Sequence, residues 1–472
     1  MSATIRTTNP ATGQPLAEYE AWDAVRIEAA VERAHAAARA WARVPVAERA
    51  ARVGHLATVL REHKETLAHL AVTEMGKPVG EAEGEVSKSA LTAEYYAEHG
   101  PGILADEHVD IDGAEAWVAH EPIGLVLAVM PWNFPVWQVM RFAVPSLVAG
   151  NGILLKHASN VTGSALALQE LFGEAGFPEH LVTTLVVADA EVPEAIARLI
   201  EDDRVAAVTL TGSNRAGAAV GSAAGRAAKK SVLELGSSDA FVVLDDADAE
   251  VAAAAAVKAR FTNSGQSCVC AKRFIVAAPV ADGFTAAFVA AVEALRVGDP
   301  QERDTQVGPL ARDDLRAAIQ RQVEESVAAG ARLLTGGKPL PGDGYFYRPT
   351  VLTDTGPGMP AFDEETFGPL AAITVAQDVA RSGPPREKQA DGGRMRCKGW
   401  GRFVAASELR RKGAACLAHV AARVVHGQDD RRRAGHGMVH SRHQSLDELP
   451  GRCITERVDE HSIQFFGFVR SG

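Results

Sequence analysis

VAAVTLTGSNRAGAAVGSAAGRAA, residues 205–228, reads as a strand, a turn and a helix. The apolar run 205–212 closes on a glycine, and the alanine-rich run 215–228 has the composition of a helix. Moving outward toward the N-terminus, GILLK (152–156) is a buried strand and SALALQELFGEAG (164–176) a helix ending at a glycine. LVTTLVV (181–187) is a strand and VPEAIARLIED (192–202) a helix. Strands alternating with helices in this way predict a mostly parallel, doubly wound α/β sheet. Further upstream, 23–43 reads as a helix capped by Asp23, 46–75 as a helix pair broken near Gly54, and 81–98 as a helix. Residues 115–130 alternate, turn at Glu121-Pro122 and become an apolar strand. Downstream, a second α/β series is predicted to start near Ser231: strands 231–236 and 240–244, helix 248–262, loop NSGQSCVC (263–270), strand 272–277 and helices 283–295 and 311–329, the last leading to ARLLTGG (331–337), with PTVLTD (349–354) following.

The chain has 472 residues, 47% of them apolar, enough for two or three domains with their own cores. No run of about 18 apolar residues occurs, so no membrane span is expected. The start, MSATIRTTNPATGQPL, lacks an apolar h-region, so no secretory signal is expected. Five cysteines are too few and too odd a set for a disulfide framework. They point to a reducing compartment and a cytoplasmic protein. A net charge of −11 disfavours nucleic acid as a partner.

That charge is unevenly spread. Residues 378–472 hold 18 Lys+Arg and 11 Asp+Glu, net +7, whereas 1–377 are net −18. Stretches 381–402 and 426–460 are polar and without period, a composition that cannot easily bury enough surface to offset chain entropy.

Several residues carry chemistry. Cys268, in N-S-G-Q-S-C, lies in a glycine-containing loop between a helix and a strand, where a nucleophile is reachable. Taken alone, a lone cysteine is more often a buried structural one, and Cys270 is read that way. Glu234 lies in L-E-L-G within an apolar strand and suits a general base, or else a strand-end glutamate facing water. Asn133, in M-P-W-N-F-P, is either a rigid amide donor to an oxyanion or an asparagine satisfying a tight turn. Gly212 and Gly217, in T-G-S-N-R-A-G, flank a strand-to-helix turn that could approach a diphosphate. They do not form G-x-G-x-x-G, so the signal is weak. Lys156 ends the strand GILLK, at the edge where ligands lie in open α/β sheets. No metal site is read from the sequence.

In order, M-P-W-N-F-P, G-N-G-I-L-L-K, L-T-G-S-N-R-A-G, L-E-L-G, G-Q-S-C and E-E-T-F-G-P (364–369) resemble the aldehyde dehydrogenase superfamily over about residues 1–377. Finer matches at N-P-A-T-G (9–13), E-M-G-K-P (74–78), Y-A-E-H-G-P (96–101), M-P-W-N-F-P-V-W-Q-V-M-R (130–141), L-L-K-H-A (154–158) and T-G-S-N-R-A-G-A-A-V-G (211–221) are similar to the bacterial NAD(P)-dependent succinate-semialdehyde dehydrogenase branch.

The resemblance implies an aldehyde dehydrogenase-like fold. A Rossmann-type NAD(P)-binding domain would span 1–233, with an intersubunit hairpin near 108–126. An incomplete α/β catalytic domain would span 234–377, and an atypical, poorly folded tail 378–472. It implies a cytoplasmic oxidoreductase in which Cys268 attacks the aldehyde, Asn133 stabilises the oxyanion and Glu234 activates water. For the cofactor, NAD or NADP, it implies Lys156 at the adenosine ribose, Gly212, Ser213 and Gly217 near the diphosphate, and Glu365 at the nicotinamide ribose with Phe367 beside it. Ser159 stands where NAD-preferring members often carry Glu, which admits NADP and leaves NAD open. Arg141 stands where the branch places an arginine for the substrate carboxylate, a task suited to a guanidinium; a surface arginine is the alternative.

The chain departs from the pattern at Ser237, where the usual glycine would make a side chain a source of strain, and at Phe142, often a lysine. It departs most after residue 377, where the family's last motifs and its C-terminal pairing strand are not found. That departure sets a catalytically impaired, nucleotide-binding homologue beside the active enzyme, with LAAITV (370–375) left open. A nucleic-acid or metal module in the tail ranks last, for want of C-x-x-C, paired histidines or an aromatic platform.

Overall fold

The computed structural model describes residues 3–111, 114–377 and 469–471. Strands β1 (Thr4–Thr8) and β2 (Pro15–Glu20) pair antiparallel ahead of four helices, α1 (Ala24–Trp41), α2 (Val46–Glu62), α3 (Lys64–Met75) and α4 (Val79–Ile103). Asp23 caps α1 by accepting from the Arg26 N–H at 2.8 Å. The break in the 46–75 pair falls at His63, not at Gly54. Gly54 faces α4 instead: an added Cβ would stand 3.4 Å from the Ala97 Cβ, so the glycine serves close helix packing. A hairpin of β3 (Glu107–Ile111) and β4 (Ala114–Val118) follows, then the short β5 (His120–Pro122).

The first α/β layer runs β6 (Leu125–Met130), α5 (Trp137–Val148), β7 (Gly152–His157), α6 (Thr162–Glu174), β8 (Val182–Thr184), α7 (Val192–Glu201), β9 (Val205–Gly212), α8 (Asn214–Arg226) and β10 (Lys230–Leu235). Its sheet is parallel in the order β10-β9-β6-β7-β8. Side chains alternate across it. Val126, Ala128, Ile153 and Leu155 enter one core, and Leu125, Leu127 and Leu154 the other. The chain steps from β6 outward to β7 and β8, then returns to the other side of β6 with β9. This reversal opens a crevice at the carboxyl ends of β6 and β9, where ligands bind in such sheets.

The second layer holds β11 (Asp239–Val243), α9 (Ala249–Phe261), β12 (Ala271–Ala277), α10 (Ala278–Glu293), α11 (Asp313–Ala328), β13 (Arg332–Thr335), β14 (Thr350–Thr353), α12 (Pro360–Asp363) and β15 (Leu370–Ala376). Its order is β11-β12-β15-β14-β13, with only β13 antiparallel to its neighbour. Phe241, Phe274, Phe284 and Phe288 pack together beneath it.

Two expectations change here. The strand carrying Glu234, β10, does not open the second series but closes the first sheet, parallel to β9 through the α8 crossover. It therefore straddles residues 233 and 234, and the change of sheet falls between Leu235 and Asp239. Most of the segment 370–375 is not an open face either, Val375 alone among its apolar side chains being exposed. β15 lies between β12 and β14, and Leu370, Ala371, Ala372 and Ile373 are buried. Of the tail, Val469–Ser471 forms β16, antiparallel to β5; the rest of the poorly folded segment expected at 378–472 lies outside the described residues.

Gly217 brings α8 onto β10. An added Cβ would stand 2.3 Å from the Leu235 Cδ2 and 2.9 Å from its Cδ1. Gly217→Val should therefore lower stability by about 1–3 kcal/mol through overpacking. An unchanged urea midpoint would remove this packing role.

Candidate active site

Cys268 is delivered by an unusual turn. After α9, Asn263 (φ 55°), Ser264 (φ 54°) and Gly265 (φ 73°) are all left-handed. Non-glycine residues hold such angles only when their surroundings over-determine them, and here they do. The Ser264 Oγ accepts from the Gly308 N–H at 2.9 Å, and the Gln266 Oε1 from the Ala311 N–H at 2.9 Å. Gly265 admits no side chain, because a Cβ would lie 2.3 Å from the Gly368 carbonyl oxygen. Arg260, fully buried, donates to the carbonyls of Leu370 (2.6 Å), Thr366 (3.0 Å) and Gly265 (3.4 Å). It thus fastens the nucleophile loop to 366–370. Cys268 is half-buried with a free thiol, and Cys270 is buried.

Asn133 follows β6 and is buried. Its Nδ2 donates to the Gln266 carbonyl at 3.1 Å, and its own carbonyl accepts from the Asn263 Nδ2 at 2.8 Å. The two loops are thus cross-linked by amides, and the Asn133 amide carries a second hydrogen that could serve an oxyanion. Behind it, the His157 ring hydrogen-bonds the Pro135 carbonyl at 2.9 Å. Burial pushes His157 down to about 4, so it is neutral at physiological pH.

Glu234 stands opposite Thr211 in the β10–β9 register. Arg141, from α5, donates to the Thr211 Oγ1 at 3.1 Å, and its Nη2 lies 3.7 Å from the Glu234 Oε2. The Arg141 side chain is 13% exposed, so it is not a surface arginine. Burial lowers its pKa and the Glu234 charge opposes that. The Cys268 thiol is pushed up by burial, against the cations Lys272 and Arg141, so the neutral thiol predominates at neutral pH.

Lys272 is a residue that sequence reading passed over. Its buried Nζ donates to the Cys268 carbonyl at 3.0 Å, to the Glu365 Oε1 at 2.7 Å and to the Ser237 carbonyl. A lysine opening an apolar strand four residues after a candidate nucleophile was the available signal. The backbone strain expected at Ser237 is not found. Among the described residues the left-handed non-glycine ones are His180, Ala228, Asn263, Ser264 and Asp354, and the Ser237 Oγ donates to Asp239 at 2.8 Å. The close approach falls one residue earlier, at Gly236, where a Cβ would meet the Glu365 carboxylate. Phe367 packs edge-on to Trp132 with ring centroids 5.6 Å apart.

A second group lies at the carboxyl edge of the first sheet. Lys156 is buried at the end of β7, which lowers its pKa, and the Asp189 charge opposes the shift. The Ser159 Oγ donates to the Asp189 Oδ2 at 3.0 Å. Gly212 ends β9, and Ser213 caps α8 by accepting from the Ala216 N–H at 3.3 Å. The first-turn N–H groups of α8 are thus the donors an anion there would meet, while Gly217 faces Leu235. Contacts link the residues around Cys268 in a chain: Asn133 to the Cys268 loop through Gln266, Arg141 to Glu234, and Glu365 through Lys272 to the Cys268 carbonyl, with Cys268 feeling the charges of Lys272, Arg141 and Glu365, while Lys156, Ser159 and Ser213 lie at the carboxyl ends of β7 and β9.

The aldehyde dehydrogenase family pattern matches residues 1–381. The chain is 48% identical over 371 residues to succinate semialdehyde dehydrogenase (NAD(P)+) Sad of Escherichia coli (strain K12), covering 79% of each chain. It is 46% identical over 385 residues to a probable succinate-semialdehyde dehydrogenase (NADP(+)) of Synechocystis sp. (strain ATCC 27184 / PCC 6803 / Kazusa), covering 79% of this chain and 84% of that one. Among solved structures, succinic semialdehyde dehydrogenase from Streptococcus pyogenes in complex with NADP+ matches with a TM-score of 0.76 and 34% identity, over 79% of this chain and 82% of that one.

Proposed function

This chain belongs to the aldehyde dehydrogenase family, and from that premise we propose that it oxidises succinate semialdehyde to the carboxylic acid with NAD(P)+ through Cys268. The observation that supports the reading is that a half-buried free thiol, an amide bonded to its loop and a carboxylate–arginine pair whose charge reaches that thiol are linked to one another. The relatives' names lend nothing to the alternative of a chain without turnover.

The residues fit a dinucleotide. The Lys156 ammonium, the Ser159 and Ser213 hydroxyls, the first turn of α8 and the Glu365 carboxylate held by Lys272 supply what two riboses and a diphosphate need. The chemistry supplied by a bound nicotinamide is acceptance of the aldehyde hydride.

The chain's own work begins with Cys268: its thiol loses a proton to water, and the small thiolate fraction, favoured by the Lys272 and Arg141 charges, adds to the carbonyl carbon to form a thiohemiacetal. Asn133 and the Cys268 N–H receive the charge that develops on oxygen. The acyl group is afterwards a thioester on Cys268. Glu234 takes a proton from the water that displaces it, and the thiolate leaves. Arg141 faces the site from α5 and holds the far carboxylate of the substrate.

No helix among the described residues is long and apolar enough to cross a membrane. A cytoplasmic location and a homo-oligomer belong to the same proposal. The second is supported by Val109 and Trp117, which stand exposed on the β3–β4 hairpin.

Arg141→Ala tests the substrate. Losing a charge-assisted pair costs about 1.5–3 kcal/mol, so KM for succinate semialdehyde should rise about 10- to 100-fold while KM for butanal holds. Because Arg141 also faces Glu234, kcat should fall for both aldehydes. An equal rise in KM for both would remove the reason for naming a carboxylated substrate.

A further inference from the structure

The motif E-M-G-K-P and the start of α4 place two charges in the interior and a third, the half-buried Glu81, beside them, none of which the reaction itself uses. Lys77 is 1% exposed and Glu85 5%. The Lys77 Nζ donates to the Glu85 Oε2 and lies 3.7 Å above the Phe134 ring centroid. The other Glu85 oxygen, Oε1, accepts from the Val136 and Trp137 N–H groups, both at 2.8 Å. Those residues come three and four positions after Asn133 and lead into α5. One turn earlier on α4, the Glu81 Oε2 accepts from the Asn263 N–H at 2.7 Å, where the left-handed turn before Cys268 begins. Lys77 also feels the charge of Glu81. Isolated charges are costly inside a protein, and removing one partner strands the others. This cluster is placed where both of its carboxylates grip backbone N–H groups of the two loops.

We propose that Glu81 and Glu85, joined through Lys77, are positioning residues: Glu85 sets the loop that carries Asn133, and Glu81 sets the turn that delivers Cys268. The proposal rests on the reading of Cys268 as nucleophile. Glu81 is the informative position, because its contact is with the nucleophile's own loop. The Asn263 N–H needs an acceptor at a fixed reach, not a charge, and Lys77 keeps Glu85 when Glu81 is neutral.

Three variants of the full chain separate positioning from bulk stability: Glu81→Ala, Glu81→Asp and Glu81→Gln. The readouts are the alkylation rate of Cys268 by iodoacetamide, followed on its peptide, the burst of reduced nicotinamide, cofactor KM and Tm. Misplacing a reacting group by a fraction of an ångström costs rate steeply. Ala and Asp should therefore slow alkylation and burst about 10-fold or more, with cofactor KM within about twofold, while Gln stays within about threefold of the parent. Should Ala fail to fold, the Asp and Gln pair decides. Asp as fast as the parent, or variants that lower Tm with alkylation and burst unchanged, would overturn the proposal. A parent chain that shows no burst would count against the nucleophile reading instead, and the alkylation rates would still report on the turn.

Discussion

Cys268→Ala should abolish aldehyde oxidation, by about 10⁴-fold or more, while NAD(P)+ still binds. The thiol is the only group proposed to bond to the substrate carbon. Its loop is held by Ser264, Gln266, Asn263 and Arg260 through contacts that do not involve the sulfur. The turn should therefore survive the substitution, and fluorescence titration with cofactor should show unchanged affinity. The pH dependence follows from burial, which raises the Cys268 pKa against the pull of Lys272 and Arg141. A raised thiol pKa leaves less thiolate at neutral pH, so alkylation of the parent should quicken as pH rises through and beyond the ordinary thiol range. Full turnover by the alanine variant would sink the assignment.

Glu234→Gln should leave acylation standing and slow deacylation, by about 10²- to 10⁴-fold if the carboxylate is the base for water. Rapid mixing should then show a burst of reduced nicotinamide followed by slow release of acid. The geometry favours this split. Glu234 sits at the end of β10 beside Arg141 and Thr211, whereas the contacts that hold Cys268 and Asn133 come from other elements. A loss confined to the burst would transfer Glu234 to the first half of the reaction.

The alternation of strands and helices from 152 to 228 was legible, because both faces of a parallel sheet must be apolar and each crossover helix must bury a stripe. Cys268, Glu234 and Asn133 stood out because each places a chemically capable residue in a segment pinned by glycine or proline. What escaped was set by contacts distant in sequence. Lys272 meets Ser237 and Glu365, 35 and 93 residues away, and Glu81 meets Asn263, 182 residues away. Nothing local to either residue announces such a partner. Gly54 reads as a breaker because an isolated glycine weakens a helix; its packing against Ala97 overrides that propensity. The sequence of β10 suits either series, because a strand's neighbours are not written in its own residues. Its parallel ladder with β9 and the close approach of α8 at Gly217 show that it turns back to the first sheet. At Ser237, the tolerance for a side chain depended on a backbone angle that the sequence leaves open.

The most direct test mixes the full-length chain with succinate semialdehyde and either NAD+ or NADP+, and follows reduced nicotinamide, acid product and the Cys268 peptide after rapid acid quench. The account predicts reduced nicotinamide and succinate in equal amounts, with a succinyl thioester trapped on Cys268 before steady state. Cofactor reduction with no acyl group on Cys268, or a chain that binds cofactor and alkylates at Cys268 but reduces none with any aldehyde, would contradict it.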